Sequence, residues 1–134
     1  HIYGSNKYLE KNGFPKNIND LNKHKFITYG RGAPSPVFNP DWALKLGSKE
    51  NSKRKPVMKV NSVYGLLLAV QSGVGLAALP DYIVKNQTNL IKVLPNVEGP
   101  QTEAHFVYPS SLKNTARIQA FRNFIFSKVS EWKF

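Results

Sequence analysis

Residues 61–80 constrain the fold of this chain more strongly than any other stretch. Apolar residues recur there at the i, i+3, i+4, i+7 spacing of a helix, and either Asn61 or Ser62 can cap its start. Gly73 is the residue type that commonly ends helices, and an apolar run at 74–79 follows, closed by a proline. The stretch therefore predicts a helix from 62 to 72, a glycine turn and a strand buried on both faces.

Strand and helix patterns alternate along the rest of the chain. The opening residues predict a short strand, which leads into a helix capped by Ser5 and ended by Gly13. A long amphipathic helix capped by Asn114 ends the chain. Further strand patterns occupy residues 25–29, 41–46, 56–61, 90–94 and 103–108. This alternation predicts an α/β fold with a largely parallel sheet.

Two strand-to-helix junctions are candidate ligand sites. Ligands of open α/β sheets bind outside the carboxyl ends of the strands, where helix starts offer free N–H groups and a positive dipole end. One junction leads into the helix capped at Asn61 and Ser62, and the other into the helix capped by Ser5. Each is a suitable seat for a carboxylate or phosphate. The alternative is that these three side chains only cap their helices.

Composition limits the class of protein. The 134 residues are 41% apolar and 12% aromatic, which indicates one globular domain or two small lobes. The formal charge of +11 favours anionic partners, but the basic residues cluster only at 49–55, in a segment typical of an exposed loop. The chain has no cysteine, which excludes disulfides and thiolate metal sites and fits a cytoplasmic protein. No apolar run is long enough for a membrane span, and we expect no targeting segment.

Catalytic and metal-binding patterns are absent from the sequence. It contains no Gly-x-Ser-x-Gly elbow, no phosphate loop, no His-Glu-x-x-His and no pair of acids placed for acid/base work, so we expect no catalytic residue and no enzyme. Gly73 and Gly75 follow a helix, the reverse of the dinucleotide fingerprint, and are interpreted as turn residues. His24 is interpreted as making a structural hydrogen bond near a helix end. We therefore expect neither a metal nor a cofactor.

Several motifs, taken in order, carry a resemblance to a known family. They are Ser5-x-x-Tyr8-Leu9-x-x-x-Gly13-x-Pro15, Asp20-Leu21-x-x-His24, Trp42, the run from Ser72 to Tyr82, Leu94-Pro95, Tyr108-Pro109 and Arg117-x-x-x-Phe121-x-x-Phe124-Ile125. In this order and spacing the sequence resembles the effector-binding (substrate-binding) domain of LysR-type transcriptional regulators. An intact regulator of that kind carries a winged helix-turn-helix, a linker helix and most of a first lobe before the position of His1. The resemblance therefore implies a C-terminal fragment.

The resemblance implies a periplasmic-binding-protein-like (type II) α/β fold, in which two lobes joined by crossing strands hold a small molecule between them. Residues 1–4 would be a hinge strand, residues 5–106 a complete second lobe, and residues 107–134 the return strand and C-terminal helix of a largely missing first lobe. The apolar stripe of that helix would then belong against the first lobe. Otherwise it packs on the lobe present, on a partner chain or on nothing. The stripe comprises Ile118, Phe121, Ile125, Val129 and Trp132.

The resemblance also nominates effector-binding residues. Asn61 and Ser62 come first, Ser5 second, and the loop formed by Tyr29, Gly30 and Arg31 third. Arg31 would pair with an anionic effector as a two-pronged donor.

The partners implied are a small-molecule effector, anionic ones included, and further copies of the chain in a homodimer or homotetramer. DNA would be bound only through an N-terminal winged helix-turn-helix absent from this chain, and no membrane is implied. Effector binding would be signalled through rearrangement of the oligomer, in the cytoplasm.

Two other functions remain open from the sequence. The chain could be a lobe of an extracytoplasmic solute-binding protein, which shares the fold class. It could also be a basic nucleic-acid-binding domain that uses residues 49–59, in which case neutralising Lys53, Arg54 and Lys55 would abolish binding to DNA.

Overall fold

The computed structural model describes residues 1–30, 39, 41–47, 54–101 and 105–131. The chain divides into two compact units, His1–Gln101 and Thr102–Phe134. The first unit holds the sheet and most of the helices, and the second holds the long C-terminal helix.

The first unit alternates strands and helices in chain order, as the sequence predicts. Three of its helical elements are short, namely one 3₁₀ helix and two four-residue helices. Its elements are β1 (Ile2–Ser5), α1 (Asn6–Asn12), a 3₁₀ helix (Ile18–Lys23), β2 (Ile27–Tyr29), α2 (Trp42–Lys45), β3 (Met58–Val60), α3 (Val63–Gln71), β4 (Ala77–Ala78), α4 (Asp81–Val84) and β5 (Leu90–Val93).

The first strand does not run parallel to its neighbours. β1 lies between β4 and β5 and pairs antiparallel with both, with Ile2 opposite Ala78 on one side and Val93 on the other. β2 and β3 pair in parallel, and a parallel bridge between Phe26 and Leu76 links them to the chain entering β4. The described sheet is therefore mixed, and the expectation of a largely parallel sheet needs this correction. Four strands share one direction and β1 opposes them.

Two further sequence predictions are wrong in the described residues. Residues 41–46 were expected to be a half-buried strand, yet Trp42–Lys45 is helical. Ala43 and Leu44 are both buried, and two adjacent buried side chains do not fit a strand with one exposed face. The predicted strand at 103–108 is also not formed over residues 105–108. The other strand ranges and the helix at 62–72 are confirmed with shorter bounds.

The core of the first unit forms two clusters, and consecutive residues of β1 belong to different ones. Ile2 joins Leu9, Leu21, Phe26 and Leu76 in a cluster that includes α1. Tyr3 joins a second cluster, which includes the buried side chains Ile27, Leu66, Leu67, Val70 and Ala77 from β2, α3 and β4. Because successive side chains of a strand point to opposite faces, the sheet is covered on both sides. The strand predicted at 74–79 to be buried on both faces corresponds to β4, where Ala77 is buried and Ala78 half-buried.

The second unit consists of a 3₁₀ turn (Ser110–Leu112) and α5 (Ala116–Ser130). Thr115, rather than Asn114, occupies the N-cap position of α5. No described residue of α5 is buried, and about half of the Phe121 side chain is exposed, although its ring contacts Phe106 at a centroid distance of 5.7 Å. Trp132 lies outside the described residues. The apolar stripe is therefore largely uncovered over the described length of α5.

The two glycines after α3 have different roles. Gly73 has a φ of +79° and ends the helix as predicted. Gly75 is not a turn residue. A Cβ atom built on it would lie 2.5 Å from the carbonyl oxygen of Lys25, because Leu76 N–H donates to that carbonyl at 2.8 Å. Gly75 thus permits the close approach of the two chain segments that the Phe26–Leu76 bridge joins.

We predict that Gly75→Ala destabilises the domain by about 1–3 kcal/mol, because the added methyl group meets backbone that cannot move freely. Gly30→Ala is the matched control, since a Cβ atom there finds its nearest atoms at 3.8 Å and needs no positive φ. Urea denaturation of the two variants measures the difference. Equal stability of the two would contradict the packing role of Gly75.

Candidate functional site

One edge of the sheet brings together most of the residues expected to bind a ligand. β2, β3, β4 and β5 share a direction, so their carboxyl ends lie at the same edge. There the backbone N–H of Gly30 donates to the carbonyl of Val60 at 2.9 Å, and a Cβ atom built on Gly30 would lie 3.8 Å from the nitrogen of Asn61. The ends of β2 and β3 are therefore in contact, and Gly30 borders the start of α3. We call this the carboxyl edge.

Ser62 caps α3 at the carboxyl edge. Its Oγ accepts a hydrogen bond from Gly65 N–H at 3.2 Å, in the extended conformation that N-cap residues adopt. Both Asn61 and Ser62 are exposed. A Cβ atom on Gly65 would lie 2.6 Å from Cγ1 of Val60, so the glycine lets the helix start close to β3. The first N–H groups of α3 have no acceptor within the helix, which leaves them directed at this edge.

Ser5 lies elsewhere. Its side chain is 2% exposed and accepts from Tyr8 N–H at 3.4 Å as the cap of α1, and its Oγ is 3.7 Å from the Cβ position of Gly73. Gly73 follows the carboxyl end of α3, whereas Ser62 precedes its amino end, and a nine-residue helix is roughly 14 Å long. The structure therefore does not bring Ser5 together with Ser62. The antiparallel direction of β1 places Ser5 at the opposite edge.

The residues of the third nominated group, Tyr29, Gly30 and Arg31, do not share one environment. Tyr29 is 8% exposed and belongs to the cluster covered by α3, while Gly30 is half-buried beside Asn61. Arg31 lies outside the described residues. Of this group, Gly30 is thus the residue that the structure places against the start of α3.

The carboxyl edge also carries a polar network that the sequence patterns do not reveal. The carboxylate of Asp81, the first residue of α4, accepts hydrogen bonds from Tyr3 Oη and Lys92 Nζ, each at 2.9 Å. Nδ1 of His1 lies 2.8 Å from both carboxylate oxygens. We call these four residues the Asp81 network. The one signal in the sequence is an acidic residue at a helix start, because the partners of Asp81 are distant from it along the chain.

The network shifts the pKa values of its members. Burial raises the pKa of Asp81, but the hydrogen bonds from Lys92 and Tyr3 lower it together with nearby positive charges, so that the pKa of the carboxyl lies below its ordinary value. Burial and the neighbouring carboxylate together raise the pKa of Tyr3. Asp81 is therefore ionised and Tyr3 neutral at physiological pH.

Arg54 is held inside the first unit. Its guanidinium donates to the carbonyls of Leu46 at 2.7 Å, Ala43 at 3.2 Å and Ile18 at 3.4 Å, and its Cζ lies 5.7 Å from the centre of the Phe26 ring. Burial lowers the pKa of Arg54. Arg54 thus joins three backbone segments and is not presented to a nucleic acid. Lys53 lies outside the described residues.

His24 ends the 3₁₀ helix, and its backbone N–H donates to the Leu21 carbonyl at 3.2 Å. Its ring packs 5.8 Å from the ring of Tyr8, and within the described part of the chain no partner meets the buried Nδ1 atom. Burial lowers the pKa of His24. The described residues contain no group of three or more His, Asp or Glu side chains able to hold a metal ion. None of their helices combines the length and apolarity needed to cross a bilayer.

Comparison with known proteins identifies the family. A sequence model described as the LysR substrate binding domain matches residues 2–129. The chain belongs to this family. Its fold is accordingly of the periplasmic-binding-protein-like type II class, as the sequence resemblance implied.

Relatives of this LysR substrate-binding domain agree with the assignment. It is 31% identical over 114 residues to an uncharacterised HTH-type transcriptional regulator of Haemophilus influenzae, covering 82% of this chain and 38% of that protein. Its fold matches the regulatory domain of CrgA, a LysR-type transcriptional regulator from Neisseria meningitidis, with a TM-score of 0.70 and 24% identity over 95% of this chain and 62% of that one. A structure of CrgA itself matches with the same TM-score and is covered to 43%. The chain spans less than two thirds of the length of each of these proteins.

We predict that Ser62→Ala costs about 1 kcal/mol of stability, whereas Asn61→Ala changes it by less than about 0.5 kcal/mol. The reason is that the Ser62 hydroxyl satisfies a backbone donor of α3, a role that its neighbour does not share. Chemical denaturation of the two variants tests this. A larger loss of stability in Asn61→Ala than in Ser62→Ala would contradict the assignment of Ser62 as the cap.

We also predict that the domain loses stability as the pH falls below about 6.5, the ordinary pKa of histidine. Because burial lowers the pKa of His24 in the folded state, the unfolded chain takes up its proton first. The loss therefore begins near the unfolded pKa and ends below the folded one. Denaturation curves at pH 7.5 and 5.0 should show a smaller difference for His24→Gln than for the parent. His105→Gln, at an exposed position, is the control.

Proposed function

We propose that this domain is the effector-sensing part of a LysR-type transcriptional regulator, and that a small molecule binds at its carboxyl edge. The observation that carries the proposal is the contact of Gly30 with Asn61 at the start of α3. Asn61 and Ser62 are exposed there, beside N–H groups that have no acceptor within the helix. Such an arrangement favours a ligand with a carboxylate or another anionic group.

The remaining nominated residues are assigned to different roles. Gly30 and the backbone of Tyr29 border the ligand, and Arg31 supplies a guanidinium for an anionic effector. Ser5, which is buried at the other edge, serves as the cap of α1. No catalytic role is proposed for any residue, since the family consists of regulators.

We further infer the division into lobes that the sequence resemblance implied. Residues 1–4 act as a hinge strand, residues 5–106 as the second lobe, and residues 107–134 as a return strand and helix belonging to a first lobe. The exposed aromatic side chains of α5 support this division, because about half of each of Phe121, Phe124 and Phe126 is open to solvent. A first lobe supplied by preceding residues would cover them. The effector then lies between the lobes.

Self-association and DNA binding belong to the same proposal. Four apolar side chains around β3 and α3 are between about two fifths and two thirds exposed, namely Val57, Met58, Tyr64 and Leu68. We propose that exposed apolar side chains of this region contribute to the contact with a second copy in a homodimer or homotetramer. DNA is bound by a winged helix-turn-helix outside this chain, and effector binding alters the geometry of the oligomer in the cytoplasm. The HTH-type relative supports the regulator over a solute-binding protein.

The placement of the effector is tested by a thermal-shift screen of the full-length protein. The probes are small monocarboxylates, dicarboxylates, amino acids and sugar phosphates. A compound present at a hundred times its Kd stabilises a protein by about 2.7 kcal/mol, which corresponds to a rise in Tm of roughly 5 °C. We expect such a shift to be lost or strongly reduced in Asn61→Ala and Ser62→Ala.

Asn86→Ala is the control, because Asn86 is an exposed asparagine two residues past α4, away from the start of α3. It should keep the full shift. A shift that persists unchanged in both site variants would contradict the placement at the carboxyl edge. A full-length protein that responds to none of the probes would contradict an anionic effector.

A further inference from the structure

The Asp81 network joins one helix and two strands at the carboxyl edge. Asp81 begins α4, Tyr3 lies on β1 and Lys92 lies on β5. Tyr3 and Lys92 are opposite one another in the antiparallel register, so their side chains leave the same face of the sheet. The carboxylate of Asp81 meets both of them at 2.9 Å.

The network is partly protected from solvent, which strengthens its hydrogen bonds and its ion pair. Tyr3 is 5% exposed, and the side chains of His1 and Asp81 are 18% and 20% exposed. Hydrogen bonds to an ionised acceptor are stronger than neutral ones, and a partly buried ion pair is screened less than one on the surface. Removing the negative charge would leave Tyr3 with a weaker acceptor and Lys92 without its counter-charge.

β1 needs such an anchor because it is short. Only four residues pair with β5 and only two pair with β4. At its beginning, the carbonyl of His1 also accepts from Leu79 N–H at 2.9 Å. The side-chain contacts of Asp81 thus hold the beginning of β1, which lies at the carboxyl edge.

We propose that Asp81 is a positioning residue that fixes the beginning of β1, the proposed hinge strand, to the sheet. The inference rests on the proposed function, in which β1 is the hinge strand beside the effector. Asp81 does not touch the effector in this account. It acts through Tyr3, Lys92 and His1.

Hydrogen–deuterium exchange of the full-length protein, without any effector, tests the proposal. In Asp81→Asn we expect the protected amides of β1 to exchange about tenfold faster or more, because hydrogen bonds to a charged group are lost. The amides of α3 and of the β2–β3 pair should change much less. Tyr3→Phe and Lys92→Met each remove one contact and should give smaller increases in β1. Asp81→Glu, which keeps the charge, should restore much of the protection.

Two controls separate the local effect from general destabilisation. Asp20→Asn makes the same chemical change at a similarly half-buried carboxylate on the 3₁₀ helix, which pairs with Lys23 at 3.4 Å, and it should leave β1 unaffected. Leu44→Ala truncates a buried side chain of α2 and should accelerate slow amides throughout the first unit alike. A rise in β1 no larger than the rise in α3 in Asp81→Asn would overturn the proposal.

The outcome is independent of effector binding, since no effector is present in the exchange experiment. Unchanged exchange in β1 would remove the role of Asp81 while leaving the effector site at Asn61 and Ser62 intact. Failure of the thermal-shift screen would instead remove the effector site at Asn61 and Ser62 and leave the role of Asp81 intact.

Discussion

The position of β1 between β4 and β5 determines the arrangement of the rest of the domain. As the central strand of that group, β1 sends Ile2 into one apolar cluster and Tyr3 into the other, so a single short strand joins both halves of the core. Its antiparallel direction also decides which loops share an edge. The start of β1 lies with the ends of its neighbours, and its own end, with Ser5, lies at the opposite edge.

Local sequence patterns predicted the positions of helices and strands better than the directions in which the strands run. The start of α3 followed from its periodicity and a cap at Asn61 or Ser62, because both signals lie within residues 61–70. The direction of β1 depends on pairing with residues more than seventy positions away, which no local pattern contains. The strand expected at 41–46 failed for a related reason. Six residues of alternating character fit either period, and the burial of adjacent Ala43 and Leu44 decides for a helix.

The candidate site was predictable to the extent that it follows from strand ends. Because β2 and β3 are parallel neighbours, the rule for carboxyl ends accounts for the approach of Gly30, which the family resemblance nominated, to Asn61. The same rule misplaced Ser5, since it assumes that all strands share one direction. The Asp81 network was not predictable, because its contacts join residues 78 and 11 positions apart. Arg54 likewise resembled part of a basic surface until its carbonyl partners were seen.

The electrostatics of the carboxyl edge support an anion at α3 rather than at Lys92. The positive charge of Lys92 is already compensated by Asp81 at 2.9 Å, and an anion placed there would have to displace that carboxylate from Tyr3 as well. At the start of α3, by contrast, the exposed Ser62 hydroxyl satisfies the N–H of Gly65, and the earlier N–H groups of the first turn keep their partial positive charge. Under the proposed function, a ligand carboxylate would therefore gain hydrogen bonds at α3 without breaking an ion pair. The two proposals therefore assign different tasks to the two ends of this edge, fixing a strand at Asp81 and accepting a ligand at the start of α3.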